Sequence, residues 1–176
     1  MKKGLLVTTL TAVSALALAG CAKTVSYEEA KKHCNDNYTS NEVKQMNAHT
    51  KDEVKKADGI FATVYKVGVT EKDNEIKATP LAAAELPGES ATYKVDGKKL
   101  SVSYESSVAE FLKEYEITIG EGDTAEGSVY AEFSVDDNGF PTSSFSKIDL
   151  TFSVTQLGIT VSGALTLEET VTYSAK

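Results

Sequence analysis

The most regular alternation of apolar and polar positions lies in the last third of the chain. Val129, Ala131, Phe133 and Val135 alternate with Tyr130, Glu132 and Ser134, the period of a half-buried strand. After a turn at Asp137-Asn138-Gly139, a second strand carries Ile148, Leu150, Phe152 and Val154. Leu157-Gly158 then turns the chain into a third, with Ile159, Val161, Gly163, Leu165, Leu167, Val171 and Tyr173 in phase. Two-residue turns set Val129 beside Ile148, and Ile148 beside Leu167. They also oppose Leu150 to Leu165, Phe152 to Gly163 and Val154 to Val161. Every pair keeps apolar residues on one face, which predicts a long three-stranded antiparallel meander with one apolar and one polar face. Glycine stands where Phe152 needs room.

Upstream, Asp96-Gly97 is a favoured hairpin turn, pairing Val95 with Lys98, Tyr93 with Leu100 and Ala91 with Val102. Ser26 and Glu29 have capping-box spacing and predict a helix from about Tyr27 to Asn35. Thr39 with Glu42 and Thr50 with Glu53 repeat the box. Asn41 to Ala57 therefore reads as one helix or two, striped by Val43, Met46, Val54 and Ala57 and ended by Asp58-Gly59. The β-branched and aromatic run Ile60 to Thr70 predicts a strand covered on both sides. A polar turn at Glu71 to Asn74, a short edge strand at Glu75 to Thr79 and a helix at Pro80 to Leu86 follow. Ser107 to Tyr115 predicts another helix, Glu116 to Ile119 a short strand, and Glu121 to Glu126 an acidic loop.

The N-terminal stretch has a different pattern. Lys2 and Lys3 precede an apolar run from Leu5 to Ala19, shorter than the ~20 residues that span a bilayer, and small residues lead into Cys21. This is the form of an export signal. Its end, Leu18-Ala19-Gly20-Cys21, resembles the lipobox of bacterial lipoproteins. The resemblance implies cleavage before Cys21 and acylation of its thiol, with residues 1–20 as signal peptide, 21–25 as lipidated tether and 26–176 as a single α+β domain. The membrane is then a partner through the anchor at Cys21. The expected location is the extracytoplasmic face of a cell membrane, or an outer membrane where Ala22 and Lys23 stand in place of a retaining aspartate.

Without Lys2 and Lys3, 16 basic residues face 26 acidic ones, a net charge near −10, and every basic residue is lysine. Arginine supplies the bidentate fork for phosphate and base edges, so its absence argues against a nucleic-acid or phosphoryl partner. With Cys21 acylated, Cys34 stands alone on a helical face shared with Tyr27 and Ala30, the place of a small buried apolar residue. His33 and His49 read as boundary histidines rather than metal ligands. Glu121, Asp123 and Glu126 read as a solvated turn rather than a calcium loop. Glu169 falls on the apolar face opposite Ser146, where that face reaches water. With no nucleophile elbow, phosphate loop or zinc pair, the expectation is a chain with no catalytic residues, metal or cofactor, and no enzyme.

The predicted class is α+β: a curved, half-barrel-like antiparallel sheet packed against a few short helices and closing with the meander. This order is similar to the half-barrel lipoproteins of the LolA and LppX type. That resemblance implies an apolar cavity and a non-catalytic carrier of a lipid or acyl ligand. In the register above, its lining is Phe133, Ile148, Leu150, Phe152, Val161, Gly163, Leu165 and Leu167. The other function the pattern supports is a structural or adhesion module at the cell surface, with a filled core and its polar face toward an unidentified partner. A continuous apolar hollow would mark the carrier; a filled core with an exposed aromatic patch would mark the module.

Overall fold

A computed structural model describes residues 22–37, 45–76, 86–113 and 116–174. The expected signal, Cys21, the Thr39–Glu42 box and nearly all of the Pro80–Leu86 helix lie outside them. Eight strands run in chain order: β1 (Lys23–Val25), β2 (Gln45–Asp58), β3 (Gly68–Ile76), β4 (Thr92–Asp96), β5 (Lys99–Glu105), β6 (Thr124–Val135), β7 (Pro141–Gln156) and β8 (Ile159–Ser174). Three helices accompany them: α1 (Tyr27–Asn37), α2 (Phe61–Val64) and α3 (Val108–Lys113). The strands form one open antiparallel sheet in the order β1-β4-β5-β6-β7-β8-β2-β3. The class is thus mostly antiparallel sheet with a few short helices.

The meander has the register read from its pattern. Val129 pairs with Ile148, Ile148 with Leu167, Leu150 with Leu165, Phe152 with Gly163 and Val154 with Val161. A one-residue slip would have put every one of these side chains on the wrong face, so burial specifies the pairing strongly. The β6–β7 connection is longer than two residues. Val135 pairs with Pro141, a bulge after Ser134 absorbs the difference, and Asp136 Oδ1 accepts from the backbone N–H of Asn138 (2.8 Å) and Phe140 (2.9 Å).

The first capping box closes as spelled. Glu29 N–H donates to Ser26 Oγ (3.2 Å) and Ser26 N–H to Glu29 Oε2 (2.9 Å), opening α1. The Asp96-Gly97 hairpin forms with a corrected register: Asp96 pairs with Lys99 and Tyr93 with Val102. The turn centres on Gly97-Lys98, with Gly97 at φ +57, the first central position that a type II′ turn reserves for glycine. Partners move by two residues, so the apolar face is unchanged.

Of the region read as a helix from Asn41 to Ala57, the described residues from Gln45 on form β2, and Thr50–Glu53 caps nothing. Its alternation is Ala48, Thr50, Asp52 and Val54 on one face against Asn47, His49, Lys51 and Glu53 on the other, which a helical stripe conceals. The 16-residue β8 would otherwise leave a row of backbone donors and acceptors unpaired. β2 satisfies them from Gln45↔Ser174 to Asp58↔Ser162 and pairs β3 on its other side.

The expected Ile60–Thr70 strand is instead one helical turn, α2, followed by the start of β3. Gly59, at φ +66, turns the chain off the end of β2, where a Cβ would meet the Thr160 carbonyl oxygen at 2.8 Å. Phe61 is thereby carried inward, while Val64, Val67 and Val69 stay exposed. The expected turn at Glu71–Asn74 lies inside β3, which merges with the edge strand read from Glu75. Glu116–Ile119 is irregular rather than a strand, although Ile117 is buried. The tether residues Lys23–Val25 pair with β4 from Lys23↔Val95 to Val25↔Tyr93.

All three helices lie on the apolar face. Phe61, Val108, Leu112 and Ile117 pack onto Leu150, Phe152, Val154, Val161, Leu165 and Val54. Ala30 and Cys34 of α1 pack with Leu86 onto Tyr93, Leu100, Val102 and Ala131. The opposite face of the sheet carries no helix among the described residues.

Candidate functional site

The residues expected to floor a cavity are gathered on the covered face. Leu150, Phe152, Val161 and Leu165 are buried together, with Ile148 half-buried beside them. Phe133 packs on the edge of the α1 cluster, and Leu167 is half-buried. At the centre, Phe61 occupies the room that Gly163 leaves. A Cβ on Gly163 would lie 2.8 Å from the Phe61 ring and 2.7 Å from the Phe152 ring. The two phenyl groups meet edge to face, centroids 5.1 Å apart, and Tyr65 stacks on Phe61 at 4.4 Å. The glycine therefore makes room for a side chain of the same protein.

The three larger hollows among the described residues open on the other face. Ladder parity places Thr92, Ser103, Glu105, Ser128, Tyr130, Lys147, Asp149 and Thr151 there. Two adjoining hollows, of about 790 and 530 Å³, share Glu105, Ser128 and Asp149 as lining. A further hollow of about 510 Å³ lies toward β3, lined by Asn47, His49, Asp73 and Thr170 among others. There His49 Nδ1 lies 2.8 Å from Asp73 Oδ1.

The chemistry of the adjoining hollows is that of hydroxyls and carboxylates, with the Tyr130 ring in the larger of them. Burial raises the Asp149 carboxyl, but the Thr166 hydroxyl, Lys147 (3.3 Å) and Lys55 together hold it below its ordinary value. Burial likewise works on Glu132, and Lys99 (2.6 Å) and the Tyr130 hydroxyl outweigh it and lower the carboxyl. Tyr130 donates to Glu132, and burial first, then that carboxylate, pushes its phenol up to about 12. Its ring lies tilted against Phe145, centroids 6.2 Å apart. Glu105 and Glu126 are exposed, and neither forms an ion pair among the described residues.

Phe145 was missed in the sequence, where it interrupts Ser143-Ser144-Phe145-Ser146-Lys147 in the phase of Lys147 rather than of Ile148. That parity was the available signal, since an apolar residue in phase with a polar face marks an aromatic spot on it. The other candidates are structural. Cys34 is buried under α1, and burial pushes its thiol up to about 11, away from the reactive thiolate. His33 is half-buried, and burial lowers its pKa despite Lys98 and Asp36 nearby. Asp123 accepts from the N–H groups of Gly120 (2.7 Å) and Thr155 (2.9 Å), which spends its oxygens on the loop. Glu169 pairs with Ser146 and Thr50, half-buried beyond the covered core. Among the described residues no three His, Cys, Asp or Glu side chains converge to hold a metal ion. Comparison with protein-family models, curated proteins and solved structures finds no match to this chain.

Proposed function

We propose that this chain is a lipid-anchored, extracytoplasmic binding module without catalytic function, presenting its uncovered polar sheet face to a polar partner in the cell envelope. The observation that carries this reading is the Phe61 ring seated against Gly163, where a lipid ligand would have lain. Filled by Phe61 and Phe152, the centre of the apolar face leaves no room there for an acyl chain. The adjoining hollows, with their hydroxyls, carboxylates and the Tyr130 ring, suit hydrogen bonding and ring contact instead. Attachment follows from the lipobox: two acyl chains at Cys21 hold a protein to a membrane where one holds it only marginally.

The test uses the full chain expressed with its signal. Wild type is expected in the membrane fraction with acyl label, and Cys21→Ser is expected without it. The Cys21→Ser protein, free of covalent lipid, is then titrated with a fluorescent fatty-acyl probe. No saturable binding is expected, and adding Gly163→Leu should cost at least about 1–3 kcal/mol in urea unfolding, as overpacking of a filled core does. Saturable probe binding that Gly163→Leu abolishes without loss of stability would restore the carrier reading. Acyl label persisting on Cys21→Ser would remove the anchor.

A further inference from the structure

The two edges of the sheet are treated differently. β1 is only three residues long and runs directly into α1, which leaves little edge to pair with. β3 is nine residues long, pairs with β2 on one side only, and has no strand on its outer side among the described residues. A row of outward backbone N–H and C=O groups is a template for another strand. Edge strands are commonly protected by charge, and this protection is selective. Glu71, Lys72 and Asp73 are all exposed, with Glu71 and Asp73 on one face and Lys72 on the other.

Pairing with a second copy about a two-fold at Glu71, Lys72 or Asp73 is disfavoured by that order. In an antiparallel pair that keeps the faces matched, a two-fold at Lys72 sets Glu71 opposite Asp73 and lysine opposite lysine. A two-fold at Glu71 sets it against itself. Like charges directly opposite are destabilising. On its inner side Asp73 lies 2.8 Å from His49 and Glu71 stands opposite Lys51 of β2; on its outer side the same edge is complementary to a strand whose charges run positive, negative, positive.

We infer that the outer edge of β3 docks an extended segment of a different protein, one carrying a basic–acidic–basic run opposite Glu71, Lys72 and Asp73. Main-chain hydrogen bonds supply the attachment, and the three cross-strand charge pairs supply its register and selectivity. The site is separate from the hollows around Asp149, so it stands or falls independently of the function proposed above.

The test uses the full chain in detergent micelles and two synthetic peptides of one composition. One carries Lys-Glu-Lys within a Thr/Val-rich strand sequence; the other carries the same residues as Lys-Lys-Glu. Fluorescence anisotropy should show the alternating peptide binding about tenfold tighter, from three matched cross-strand pairs. The advantage should shrink as salt is added. In amide hydrogen exchange, about half of the β3 amides should exchange quickly in the free chain and slow on binding. Glu71→Lys, Lys72→Glu and Asp73→Lys together should reverse the preference toward a Glu-Lys-Glu peptide, with unchanged protection of β7 and β8 showing that the fold is kept. Equal affinity for the two peptides, full protection of β3 before any peptide is added, or binding that leaves β3 exchange unchanged would each overturn the inference.

Discussion

Leu157 is the residue least explained by the protein's own packing. It is 97 % exposed, and its φ of +53 is one that side chains with a branched γ carbon rarely adopt. With Gly158 at φ +78 it forms the type I′ turn between β7 and β8, for which Asn-Gly is the favoured pair. Leu157→Asn relieves the left-handed cost and removes an exposed apolar side chain. The expected gain is about 1 kcal/mol, read as a rise of about 2–4 °C in the thermal midpoint. An unchanged or lower midpoint would mean that Leu157 makes contacts the hairpin depends on. Phe61 and Gly163 are the reverse case, since each packs against the other and against Phe152. The glycine was conspicuous in the sequence as room beside Phe152. What filled the room was not, because Phe61 reaches it from a segment about a hundred residues earlier in the chain.

At the scale of elements, legibility followed how much of the signal was local. α1 was readable because its cap and its buried Ala30–Cys34 face lie within one short stretch. The meander was readable because three adjacent strands share one alternation and short turns. β2 was not, because its Lys, Glu and Ala content favours a helix, and only the open side of β8 selects the strand. α3 illustrates how little element is needed when burial is complete. It is six residues long, too short to persist in isolation, and Val108 and Leu112 hold it by packing on Leu150 and Phe152. Leu112→Ala, at a fully buried site, should therefore cost about 2–5 kcal/mol in urea denaturation. A loss below about 1 kcal/mol would show that α3 merely rests on the sheet rather than closing it.

For the whole molecule, the direction of its pKa shifts describes an acid-labile fold. Burial lowers His33 below 6.5, so the unfolded chain takes up its proton first and stability begins to fall as pH drops through that value. Glu29, Asp58, Glu132, Asp136 and Asp149 all lie below their ordinary 4.5 or 3.8. The unfolded state again binds more protons, and the stability these carboxylates supply is lost as pH falls through their folded values. On the alkaline side, burial raises Cys34 from 9.0 to about 11, so unfolding is favoured above about 9. Urea midpoints should thus plateau between about pH 6.5 and 9, and His33→Gln should remove the first part of the acid decline. A flat profile down to pH 4 would contradict this account. The molecule is also polarised along its strands. β1 pairs at the level of the Gly97-Lys98 turn, whereas Ile60, Val64, Leu157 and Ile159 are exposed toward the other end. From Ser144 to Gln156 alone, at about 3.3 Å per residue, β7 runs roughly 40 Å. The sequence by itself determined the capped first helix and the faces and register of the meander, because each depends on neighbours within a turn or a hairpin. Only the tertiary structure decided that β2 is a strand, that Phe61 fills the space over Gly163, and that the hollows open on the polar face. Those outcomes depend on which distant segment covers an open sheet edge or an apolar face, and local periodicity carries no record of that choice.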